Sequence, residues 1–103
     1  MNIVFSDLAF EQLESIYNYL QTKSNCAGTI IHNYILDEIE RLRNFPQMAP
    51  IESELIGFVH TYRSLVVKKT YKIVYYIEND TVYIAALFDC RQDPQKLKDN
   101  FQH

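Results

Sequence analysis

Three cations and two tyrosines hold most of the chemical promise of this sequence. Arg63, Lys72 and Arg91 are spread through its C-terminal half, and Tyr76 and Tyr83 lie between them. Cationic side chains that converge can neutralise a phosphate or the extra charge of a phosphorane. Tyrosines among them offer faces on which bases stack. The same set suits docking of an acidic helix or strand from a protein partner. It also fits a plainer arrangement, surface cations that happen to share a mixed sheet face. The fold must decide which of these holds.

Other reactive side chains are sparser. His60 is the one histidine near the presumed site, while His32 falls in a helical segment and His103 ends the chain. Cys26 and Cys90 have neither CxxC nor Cys/His metal spacing and read as free thiols. Arg91 beside Cys90 is placed to lower its thiol pKa, although no base or second cysteine adjoins it. Glu11, Glu14, Glu38 and Glu40 suit solvated helix faces better than metal ligation. Nothing in the sequence signals a metal or an organic cofactor.

The chain has 103 residues, 48% hydrophobic and 22% charged, with only two Gly and three Pro. That is the composition of one globular domain with short connections. Net charge is −3, unevenly shared: residues 1–55 hold three basic and eight acidic side chains, residues 56–103 seven and five. Arg63, Lys68, Lys69 and Lys72 lie in a stretch, His60 to Ile77, without an acid. An acidic partner or polyanion would meet this half; a Lys-rich strand edge that resists aggregation is the plainer reading. No apolar run nears the roughly 18–20 residues that cross a bilayer. The opening Met1–Asp7 lacks the features of a secretory signal, so a cytoplasmic protein is expected.

Pattern places these residues on elements. Asn2–Phe5 reads as a short strand and Ser6 as a helix N-cap. Ala9, Leu13, Ile16, Tyr17 and Leu20 recur at helical spacing, predicting a helix over 7–22. Lys23-Ser24-Asn25 breaks the pattern and offers a second cap. Ile31, Ile35, Ile39 and Leu42 then predict a helix over 27–44, closed by Pro46. Residues 46–59 read as irregular. Tyr62–Val67, Tyr71–Glu78 and Thr81–Phe88 are rich in Val, Ile, Tyr and Phe and read as strands. Asn79-Asp80 supplies a two-residue turn, and Lys68–Thr70 holds another. Asp93–Phe101 reads as a short helix with Pro94 in its first turn. The expected class is α+β, in the order β-α-α-β-β-β, with a helical hairpin on one face of an antiparallel sheet.

Two-residue turns fix a register. One face would carry Arg63, Leu65, Val67, Lys72, Val74, Tyr76, Tyr83, Ala85 and Leu87, with Asp89 and Arg91 following. The other would carry Tyr62, Val66, Tyr71, Ile73, Tyr75, Ile77, Val82, Ile84, Ala86 and Phe88. The second is the more apolar and should cover the helices. The first would look outward and gather Arg63, Lys72 and Arg91 around Tyr76 and Tyr83.

Several segments resemble toxins of the RelE/ParE superfamily. They are Phe5–Ala9, Phe45–Pro50, Tyr62–Val67, Tyr71–Tyr76 and Phe88–Pro94, in that order, so the likeness spans nearly the whole chain. The resemblance implies a toxin neutralised by a cognate antitoxin, possible partners in a heterotetramer. ParE-like members poison DNA gyrase by protein binding, whereas RelE-like members cleave messenger RNA in the ribosome. By resemblance to the cleaving members, Lys72 falls where an arginine is usual, Arg91 keeps the arginine, and Arg63 keeps a basic strand position. Leu97 stands where a RelE-type enzyme places a catalytic tyrosine, and Asp93 replaces a basic residue. These departures and the acidic net charge favour a gyrase-binding toxin using Arg63, Lys72, Tyr76, Tyr83 and Arg91. The alternatives are a ribosome-dependent endoribonuclease with Arg63, Lys72 and Arg91 catalytic, or an antitoxin-binding co-repressor without toxicity.

Overall fold

A computed structural model describes residues 1–101. The chain runs β1 (Asn2–Phe5), α1 (Asp7–Gln21), α2 (Ala27–Asn44), a single 3-10 turn (Ser53–Leu55), β2 (Arg63–Val67), β3 (Tyr71–Glu78), β4 (Thr81–Asp89) and α3 (Pro94–Asp99). The α+β class and element order match the sequence pattern. In the sheet order β1-β4-β3-β2, β1 lies parallel to β4 and the other pairs are antiparallel. The sheet is therefore mixed. No helix among the described residues is long and apolar enough to cross a membrane.

Local chemistry explains the helix ends. Ser6 Oγ accepts the Ala9 N–H at 3.0 Å and donates to the Ala85 carbonyl at 2.9 Å, so one hydroxyl caps α1 and ties it to β4. The expected side-chain cap from Ser24 or Asn25 does not form. Cys26 holds the N-cap position of α2 without a side-chain bond. Gln21 Oε1 accepts the Gly28 N–H at 2.9 Å instead, using an otherwise unpaired helix-end donor. A Cβ at Gly28 would meet the Tyr17 carbonyl at 2.6 Å, so the helices cross closely only because this residue is glycine.

The register departs from expectation at two places. The β2–β3 connection takes three residues, pairing Val67 with Tyr71, Leu65 with Ile73 and Arg63 with Tyr75. Lys68 and Lys69 both adopt left-handed backbone, φ 53° and 59°, without the Gly or Asn that usually announces it. In β4, Tyr75 pairs with Ile84 but Val74 pairs with Ala86, leaving Ala85 as a bulge. It is this bulged carbonyl that Ser6 satisfies. Each irregularity flips the residues beyond it, because strand side chains alternate with period two.

Consequently Leu65, Val67 and Leu87, expected to face outward, join Ile73, Tyr75, Val82 and Ile84 beneath the helices. Ala9 and Leu13 of α1 and Ile35, Ile39 and Leu42 of α2 complete that core. Val66, Ala86 and Phe88, expected beneath the helices, lie on the opposite face, and Tyr62 joins that side as well. That face is not open. Leu55 from the 3-10 turn and Leu97 from α3 close over Val74, Ala86 and Phe88 as a second core. Burial of each large apolar side chain contributes about 1.5–3 kcal/mol, so both faces favour being covered. The Pro50–Glu52 stretch is laid along the outer edge of β2, with Ser64 N–H donating to Pro50 O and Glu52 N–H to Tyr62 O.

Candidate functional site

The two register changes separate the cations that the sequence seemed to gather. Arg63 pairs with Tyr75 and so shares the helical side of the sheet. Its Nη1 donates to the Ala49 carbonyl at 2.7 Å, and the Tyr75 hydroxyl donates to the Pro46 carbonyl at 2.8 Å. Together they grip the connection that follows α2.

Lys72 points to the opposite face. Its Nζ meets Glu52 Oε1 at 2.5 Å, and the Ser64 hydroxyl donates to the same oxygen at 2.9 Å. The Glu54 N–H donates to Glu52 Oε2 at 3.1 Å. Glu52 is only 4% exposed. Burial opposes its ionisation more than any single contact favours it. The hydrogen bonds from Lys72, Glu54 and Ser64, with the lysine charge, prevail and hold the carboxyl below its ordinary value.

Arg91 lies past the end of β4. Asp89 receives its Nε at 3.0 Å and Nη2 at 2.7 Å, a two-pronged ion pair. Hydrogen bonding and then charge from Asp89 push the guanidinium above its ordinary value, while the arginine lowers the Asp89 carboxyl. Each of the three cations thus has a protein oxygen of its own. The expectation that they converge on one outward face is corrected, with the three-residue loop and the bulge as cause.

Tyr76 and Tyr83 do come together. They pair across β3 and β4 with rings 5.0 Å apart and nearly parallel. His60 stacks on Tyr76 at 3.7 Å, and Tyr62 meets the same ring edge-on at 5.6 Å. His60 Nδ1 lies 3.7 Å from Glu78. Burial first, then Glu78 and Tyr83, push the Tyr76 hydroxyl above its ordinary value, so at neutral pH it is a donor and not a base.

The remaining candidates have structural places. Leu97 is 1% exposed and plugs the second core, so position 97 presents nothing to a reacting phosphate. Asp93 is the N-cap of α3, accepting the Gln95 N–H at 2.9 Å. Burial pushes the Cys90 thiol up. Lys72, and not Arg91, is the cation that opposes this. Cys26 is exposed. Glu38 and Glu40 pair with Arg41 and Arg43 along α2. Among the described residues no cluster of His, Cys, Asp and Glu could hold a metal. His32 meets Tyr17 edge-on across the hairpin, and His103 lies outside the described residues. Sequence reasoning missed Glu52 and Ser64. The available signal was Lys72 itself, since a cation in an apolar strand requires a buried counter-charge.

Two helices on a mixed four-stranded sheet, closed by a short third helix, form the fold that the segment motifs implied, that of the RelE/ParE superfamily. Residues 3–94 match the family described as the ParE toxin of the type II toxin–antitoxin system parDE, and the chain belongs to this family. Its fold is similar to that in a structure of the chromosomal ParDE toxin–antitoxin system from P. aeruginosa, with a TM-score of 0.72 at 16% identity. The match covers 86% of this chain and 95% of that one. No curated protein matches the chain.

Proposed function

We propose that this toxin inhibits growth by binding DNA gyrase as a protein ligand, and that a cognate antitoxin neutralises it by occupying part of its surface in a joint heterotetramer. The observation that carries this reading is the dispersal of the cations. Cleaving RNA requires a base for the ribose hydroxyl, an acid for the leaving oxygen and cations around the phosphorane. Here Arg63, Lys72 and Arg91 sit in three separate places, each bonded to a protein oxygen, and buried Leu97 replaces the tyrosine that would move a proton. A binder needs none of that machinery.

In this reading Arg91 and the Tyr76–Tyr83 pair touch the target directly. Arg63 and Lys72 hold the connection and the 3-10 turn that shape the surface. The net charge of −3 agrees with a protein target better than with the polyanionic ribosome. Purified toxin is expected to block gyrase supercoiling and to accumulate cleaved complexes, and added antitoxin to restore activity. No effect on gyrase at stoichiometric excess would reject the proposal. Discrete cuts in translated message by primer extension would establish the RNA-cleaving alternative, and harmless expression without antitoxin the co-repressor.

A further inference from the structure

A cavity of about 570 Å³ lies between α1, the closing end of β4 and α3. Its floor is apolar, formed by Ile16, Leu87 and Phe88, and its walls are polar. What distinguishes those walls is the direction of their unused hydrogen bonds.

Tyr71 is 4% exposed as a residue, but its hydroxyl keeps access to solvent and has no hydrogen-bond partner among the described residues. It is therefore free to donate to a group that enters the cavity. Burial, the largest influence, keeps this hydroxyl protonated and therefore a donor. Gln12 spends its carbonyl oxygen on the Leu87 N–H at 2.8 Å, which leaves its amide N–H groups for the cavity. Lys96 lines the same wall and has no carboxylate within ion-pair distance among the described residues. Arg91 is 64% exposed and is held flat by Asp89, a fixed geometry for a further acceptor.

The two carboxylates of the lining are largely committed within the protein. Both oxygens of Asp89 serve Arg91, and Asp99 Oδ1 receives the Gln95 amide at 3.1 Å. Around the apolar floor the wall gathers the Tyr71 hydroxyl, the Gln12 amide, Lys96 and the outer N–H groups of Arg91. It is therefore complementary to an anion on an apolar stem.

We propose that this cavity receives a single carboxylate side chain, Glu or Asp, from a protein partner, with Tyr71, Gln12, Arg91 and Lys96 as its donors. The choice of a protein source rests on the gyrase-binding reading above. It has independent support in charge. Asp89 and Asp99 also line the cavity and the chain is acidic, which a lone carboxylate among donors tolerates and a run of phosphates does not.

The test follows the backbone amide signals of isotopically labelled full-length toxin by NMR. The probes are acetyl-Leu-Glu-Leu-amide, the same peptide with Gln, and guanosine monophosphate. The Glu peptide is expected to shift Tyr19, Tyr71, Arg91 and Lys96 saturably, and to bind about tenfold or more tightly than the Gln peptide. Tyr71→Phe removes only the hydroxyl, keeps the fold, and is expected to weaken binding about three- to tenfold. Lys96→Ala, on the outer turn of α3, is expected to act in the same direction. Equal affinity for the Glu and Gln peptides, tighter binding of the nucleotide, or indifference to both substitutions would overturn the assignment. Supercoiling assays on the same preparations keep the two ideas apart. Gyrase inhibition without peptide binding rejects the cavity alone, and peptide binding without inhibition rejects the gyrase reading alone.

Discussion

Replacing Lys72 by Met tests whether this lysine is a phosphate contact or half of an internal pair. In the structure its side chain is 26% exposed and its ammonium faces the carboxylate of a side chain that is 4% exposed. Met fills the same space but leaves Glu52 charged and buried, with only Ser64 and Glu54 to stabilise it. Breaking a buried pair from one side costs about 3–5 kcal/mol; since Lys72 keeps some water contact, about 2–4 kcal/mol is expected here. Against a typical total stability of about 5–15 kcal/mol, that is a readily measured loss. Urea denaturation followed by circular dichroism at neutral pH would report it. The pair Lys72→Met with Glu52→Gln removes both charges while the amide oxygen accepts from the Glu54 N–H and the amide N–H donates to the Ser64 hydroxyl, and should recover to within about 1 kcal/mol of the unmodified protein.

The pH dependence supplies a second check. The folded-state pKa of Glu52 lies below its unfolded value, so its stabilisation is full above the ordinary carboxylate range. It is lost as pH falls through the folded value. In Lys72→Met burial prevails and raises the folded pKa, so this variant gains relative stability in acid. The gap between the two proteins should therefore narrow as pH falls from the variant's raised value, above 4.5, through the lowered folded value of the original protein. A Lys72→Met protein within about 0.5 kcal/mol of the original, the spread of ordinary surface substitutions, would refute the reasoning. A gap that stays constant with pH would do the same.

Gly28→Ala should destabilise by about 1–3 kcal/mol in the same denaturation assay, because the added methyl meets the Tyr17 backbone and the helices must part. Lys69→Gly should stabilise by up to about 1 kcal/mol by relieving the left-handed backbone at φ 59°, seen as a higher urea midpoint. Leu97→Tyr, which restores the side chain of an RNA-cleaving relative, should overpack the second core at a cost of about 1–3 kcal/mol and yield no cuts in a primer-extension assay. Arg63→Ala should loosen Ala49 and lower stability by about 1–2 kcal/mol, with faster amide exchange confined to the 46–50 connection.

Local pattern by itself determined the elements. Helical spacing marked α1 and α2, Ser6 and Pro46 bounded them, β-branched and aromatic runs marked β2 to β4, and Asn79-Asp80 fixed the second hairpin. These signals are legible because each depends on neighbours within a few residues. Which residues share a face was decided only by tertiary structure. A third loop residue after Val67 and one bulged alanine each invert a strand, and neither has a local signature. Lys68 and Lys69 adopt a backbone their side chains do not advertise, and the Ala85 carbonyl is satisfied by Ser6, seventy-nine positions away. The same long-range geometry gave Lys72 its buried partner Glu52 and placed Tyr71 in the lining of a cavity between α1 and α3. Sequence spacing carries no record of such pairings, because the free energy that selects them comes from covering both sheet faces at once.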